Sequence, residues 1–107
     1  MRMLLKCQIP VEEGNAGIKT GAFKKLVDYF QTEFKPEAFY FVTEEGYRTA
    51  LIFVEMKDPS QMAVMAEAWF FSMNAKITFS PVMVPEDLNK AKVSIDKAIE
   101  LFDVDAL

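Results

Sequence analysis

Hydrophobic and polar positions along the chain first alternate with the period of a strand. Over Arg2–Ile9, Met3, Leu5, Cys7 and Ile9 make one wholly apolar face, while Leu4, Lys6 and Gln8 make a mixed one. Pro10 ends this run. A stretch with Gly14, Asn15 and Gly17 reads as a loop. The period then becomes helical: Ile18, Ala22, Leu26, Phe30 and Phe34 recur every four residues, and Phe23 and Val27 widen the stripe. Lys19, Lys24, Lys25, Asp28 and Gln31 fall outside it. Pro36 closes the helix and opens a second strand over residues 37–43.

Glu45-Gly46 suits a two-residue hairpin turn, because glycine takes positive φ without strain. That turn pairs Val42 with Thr49, Phe41 with Ala50 and Tyr40 with Leu51. One face then carries Phe39, Phe41, Ala50, Ile52 and Val54, and the other Tyr40, Val42, Thr49, Leu51, Phe53 and Glu55. A slip of one residue would mix the two sets, so the sorting supports the register. Asp58-Pro59-Ser60-Gln61 is a helix start, with Asp58 as cap and Gln61 placed to reach back. The helix that follows places Met62, Met65, Ala66, Trp69, Phe70 and Met73 inward and ends at Asn74. In a fourth strand, over residues 75–83, Ile77 and Phe79 point one way and Lys76, Thr78 and Ser80 the other. Pro81 marks an edge or a strand end. Pro85 opens a last helix whose Leu88, Ala91, Ile95, Ala98 and Phe102 follow a seam of alternating three and four residues.

The order βαββαβ with right-handed crossovers predicts an α+β, ferredoxin-like antiparallel sheet, spatial order 4-1-3-2, with an added C-terminal helix. The strands look two-faced, yet one layer of helices covers only one face. A second copy of the chain is the expected cover, giving a homodimer with sheet faces together.

Composition narrows the function. The chain has 107 residues, 51% of them apolar, and reads as a single domain over 1–107. A net charge of −4 argues against nucleic acid, which needs a basic stripe. No apolar run approaches the length of a membrane span, and no basic, hydrophobic leader opens the chain, so a cytoplasmic protein is expected. The single cysteine, Cys7, excludes an internal disulfide and reads as a small buried hydrophobe. The absence of histidine removes the commonest base near neutral pH and the commonest transition-metal ligand. No metal site and no cofactor are expected.

Leu4-Leu5-Lys6, Ile9-Pro10, Gly14-Asn15-Ala16, Lys35-Pro36-Glu37-Ala38, Trp69-Phe70 and Pro81-Val82-Met83 with Pro85-Glu86-Asp87-Leu88 resemble a family of small uncharacterised bacterial proteins. That resemblance covers most of the chain and brings no catalytic residues with it. More broadly the architecture resembles the dimeric α/β-barrel superfamily, whose paired sheets enclose a pocket. Its members include cofactor-free monooxygenases, isomerases and haem-degrading enzymes. The haem-degrading members use an asparagine, a tryptophan and a histidine. This chain has Gln8 on its first strand, Trp69 within a core stripe, and no histidine.

The second sheet face should therefore present Lys6, Gln8, Tyr40, Thr49, Glu55, Thr78 and Ser80 among Leu4, Val42, Leu51 and Phe53. A mostly apolar surface with a few converging polar groups is the expected make-up of a small-molecule site. Lys6 and Glu55 share that face on adjacent strands, which suggests an ion pair. Burial would raise the Glu55 pKa and make it a general base for cofactor-free oxidation or isomerisation, with Tyr40 as a donor. The competing expectation is a non-catalytic dimerisation module knitted by the same residues. A further candidate is the glycine-containing stretch 14–21, whose free N–H groups and Lys19 would hold an anion.

Overall fold

Strand β1 (Arg2–Ile9) buries every second side chain, and this alternation sets the whole architecture. The computed structural model describes residues 1–103 and Asp105. After β1 come α1 (Val11–Thr20), α2 (Ala22–Phe34), β2 (Ala38–Glu44) and β3 (Tyr47–Glu55). The chain continues through α3 (Ser60–Met73), β4 (Lys76–Pro81) and α4 (Pro85–Phe102). Among the described residues the result is an α+β arrangement of one four-stranded antiparallel sheet and four helices, consistent with a ferredoxin-like fold. The strands lie in the order β2-β3-β1-β4, which is 4-1-3-2 from the opposite edge.

The hairpin register has the expected pairs: Val42 with Thr49, Phe41 with Ala50 and Tyr40 with Leu51. Gly46 takes φ 82° in the turn, and Glu45 joins it at φ 53°. Cross-strand partners point the same way, so Met3, Leu5 and Cys7 stand beside Val54, Ile52 and Ala50. Leu26 and Phe30 of α2 and Met65, Trp69 and Met73 of α3 pack against this face to form the core. An aromatic cluster closes it: Phe30 lies 6.0 Å from Trp69 and 4.7 Å from Phe34, centroid to centroid. At the start of α3 the cap position falls to Pro59 rather than to the expected Asp58, and no side chain caps the helix, but the Asp58 and Gln61 side chains still tie the turn. Gln61 Oε1 accepts from the Lys57 N–H at 2.7 Å, and Asp58 Oδ1 accepts from the Ser60 N–H at 2.9 Å. Asn74 ends the helix in the left-handed region at φ 51°. Within α3, Met62 and Phe70 are exposed, although the apolar stripe placed them inward.

The segment expected to be a loop is helical. α1 begins directly after Pro10 and runs through Gly14 and Gly17, and the chain breaks only at Gly21, at φ 85°. Gly17 is buried because α1 passes close to α3. A Cβ there would stand 2.5 Å from the Met73 methyl carbon. The continuous stripe from Ile18 to Phe34 is thus divided between two helices, and Ile18 is exposed. Arg48 fastens α1 to the sheet: its Nη2 donates to Asn15 Oδ1 at 2.9 Å and its Nη1 to the Val11 carbonyl at 3.4 Å.

Cys7 is fully buried at the centre of β1, and desolvation pushes its thiol up to about 12 from an ordinary 9.0. An unfolded chain loses that proton first, so this contribution to stability is intact below about pH 9 and declines as pH rises towards 12. The expected loss by pH 10 is on the order of 1 kcal/mol relative to a Cys7→Ala control, read from urea midpoints at both pH values. A thiol reagent at pH 8 should label Cys7 no faster than the chain opens.

Candidate functional site

The sheet face opposite the core carries no helix among the described residues, and all seven expected site residues lie on it. Registers place them in transverse rows. Tyr40, Leu51, Lys6 and Thr78 form one row across β2, β3, β1 and β4. Val42, Thr49, Gln8 and Lys76 form the next, and Ala38, Phe53, Leu4 and Ser80 the one on the other side. Leu4, Leu51 and Phe53 are half-buried in the middle of the face, and Tyr40 stands edge-on to Phe53 at 6.5 Å.

Three of the seven converge. Lys6, Gln8 and Thr78 line a shallow recess of about 210 Å³ together with Glu44, Glu45 and Lys76. Lys6 Nζ donates to Glu44 Oε1 at 2.8 Å, an ion pair that bridges β1 and β2 across β3. Thr49 lies on β3 between them, 1% exposed, and its hydroxyl donates to the Tyr47 carbonyl at 3.1 Å. Both charges of the pair are roughly 40% exposed, so solvent screens it.

The expected Lys6–Glu55 pair does not form. Glu55 stands opposite Arg2, four residues along β1 from Lys6, which is about 13 Å at strand rise. Its carboxylate instead accepts from the Met1 ammonium group. That hydrogen bond holds the Glu55 carboxyl below the usual range, the reverse of the expected upward shift, because Glu55 is exposed rather than desolvated. Tyr40, Thr49, Glu55 and Ser80 do not line the recess. Tyr40 is 57% exposed, so its phenol faces outward from this chain.

The anion-binding expectation for residues 14–21 also falls. The Gly14 N–H donates to the Pro10 carbonyl at 2.9 Å, and the N–H groups that follow belong to the α1 ladder. The recess residues that sequence reasoning missed are Glu44, Glu45 and Lys76. The signal for Lys76 was present, since it shares the parity of Thr78 and Ser80. Glu44 shares the parity of Tyr40 and Val42 on β2, but its pairing with Lys6 depends on the two-strand reach of that side chain.

A second depression, an open groove of about 610 Å³, lies between α2 and α3 on the other side of the molecule. Leu26, Tyr29, Val64 and Ala68 make it apolar, and Lys25 and Glu67 stand in its lining. Among the described residues no three His, Cys, Asp or Glu side chains group as metal ligands, and no helix is long and apolar enough to cross a membrane. No protein-family model matches this chain, and no curated protein matches it.

Proposed function

We propose that the open sheet face binds a small, partly apolar molecule and is closed by a second copy of the chain, which makes the protein a homodimer. The carrying observation is the layout of that face. An apolar centre of Leu4, Leu51 and Phe53 adjoins a polar recess at Lys6, Gln8, Glu44, Lys76 and Thr78. The apolar body of a ligand packs along the border of that centre, and its polar end meets the lysines, amide and hydroxyl of the recess. This reading contains binding and no reaction. Glu55 is remote from the recess and held ionised by Met1, so it is not poised as a base there.

A non-catalytic dimerisation module is the second reading, and one observation favours it. Lys6 already has a carboxylate partner in Glu44 and needs no ligand to satisfy it. Native mass spectrometry of the protein purified from its own host separates the two. The expected result is a dimer mass carrying a retained small molecule, with retention lost in Lys6→Ala. A clean dimer whose melting temperature is unmoved by small carboxylates and phenols supports the module and rejects the ligand.

A further inference from the structure

Helix α4 has 18 residues, and none of them is buried. Leu88, Ala91, Ile95, Ala98, Ile99 and Phe102 nevertheless lie on one side of it. Leu88 is 51% exposed, Ile95 45%, Ile99 48% and Phe102 80%. An isolated helix of this length is marginal in water, so such a stripe calls for a cover. Its width identifies the kind of cover. A two-helix seam uses only the alternating three- and four-residue positions, whereas Ile99 broadens this stripe to about 100°, the width of a helix that packs on a broad surface.

The other described residues leave α4 uncovered. The Val82 N–H donates to the Arg2 carbonyl at 3.2 Å and so continues the β4 ladder, and Val84 is extended, directing the helix beyond the sheet. The molecule is consequently 62 Å long, with a radius of gyration of 18.3 Å against about 13 Å for a compact chain of this length. Its accessible surface is 7613 Å², about 1,500 Å² more than a compact monomer of 12.2 kDa exposes. The chain thus holds two unpartnered surfaces of similar length: the α4 stripe, about 27 Å, and the open sheet face, on which β1 spans about 27 Å.

We propose that α4 of each copy lies along the open sheet face of the second copy, its apolar stripe over Leu4, Leu51 and Phe53. The inference rests on the reading that a second copy closes this face, and it names the element that does so. Each sheet is then sandwiched between its own helices and the exchanged helix, and the two sheets need not touch. Removing the excess surface of both chains buries about 3,000 Å², within the roughly 2,000–5,000 Å² of obligate homodimers. The recess at Lys6, Gln8 and Thr78 lies beside the helix track, so the exchanged helix forms a wall of the ligand site.

The test uses the full chain as an equal mixture of ¹⁴N- and ¹⁵N-labelled protein, refolded together and cross-linked through lysines. Expected are dimers by sedimentation and mixed-isotope links from Lys90, Lys92 or Lys97 to Lys6 or Lys76. Ile95→Asp should shift the protein to monomer at 10 µM while its core still melts cooperatively. A monomeric parent, links within one isotope only, links solely between the two α4 helices, or an Ile95→Asp dimer as tight as the parent would each overturn the proposal. Native mass spectrometry of the same sample keeps the two readings apart: a dimer without a retained molecule sinks the ligand and leaves the exchange standing.

Discussion

Replacing Trp69 by alanine is expected to lower the unfolding free energy by about 3–5 kcal/mol. Trp69 is fully buried between α3 and the sheet, with the Phe30 and Phe39 rings 6.0 and 6.4 Å away. Removing the indole deletes its transfer free energy and leaves a cavity among aromatic rings that cannot close it. Trp69→Phe should cost much less, for two reasons. It keeps most of the ring contacts, and it removes an indole Nε1–H that meets no acceptor among the described residues. Urea titration followed by far-ultraviolet circular dichroism is the suitable readout, because either substitution removes the only tryptophan. Protein concentration must be held fixed, since association adds to apparent stability. A Trp69→Ala midpoint within 1 kcal/mol of the parent would show that the core tolerates the void.

The second large effect concerns assembly. Leu51→Asp is expected to weaken self-association by at least about 100-fold, close to 3 kcal/mol. Leu51 is half-buried in the row Tyr40, Leu51, Lys6 and Thr78, on the face away from the core. In the separated chain the new carboxylate can stay solvated beside Lys6, so the fold itself should lose little. A partner surface over Leu51 would have to desolvate that charge, and the neighbouring Lys6 is already engaged by Glu44. Sedimentation equilibrium across a concentration series reads the change directly. A Leu51→Asp protein that self-associates as tightly as the parent would remove the open face from the interface. Leu5→Asp is the control from the opposite side of β1: Leu5 is in the core, so that variant should fail to fold rather than dissociate.

Much of the architecture was legible in the residue pattern because strands and helices bury faces with different periods. Phe39, Phe41, Ala50, Ile52 and Val54 sort onto one side only if Glu45-Gly46 turns the chain, and the structure has that register. The same parity placed all seven candidate residues on one sheet face. Parity carries no information about position along the strand. Lys6 and Glu55 share a face but lie at different heights, and which carboxylate met Lys6 depended on where β2 brought Glu44.

The α1 segment shows the opposite limit. Gly14 and Gly17 have poor helix propensity, so a loop was the local reading. Packing reversed it: a helix can pass close to Met73 only where a side chain is missing, and Gly17 provides that gap. Likewise the periodicity of α4 was plain, whereas its standing clear of the body became visible only in three dimensions. Periodicity records which side of an element avoids water. Which surface comes to cover that side depends on how the chain continues beyond the element, and no local pattern encodes that.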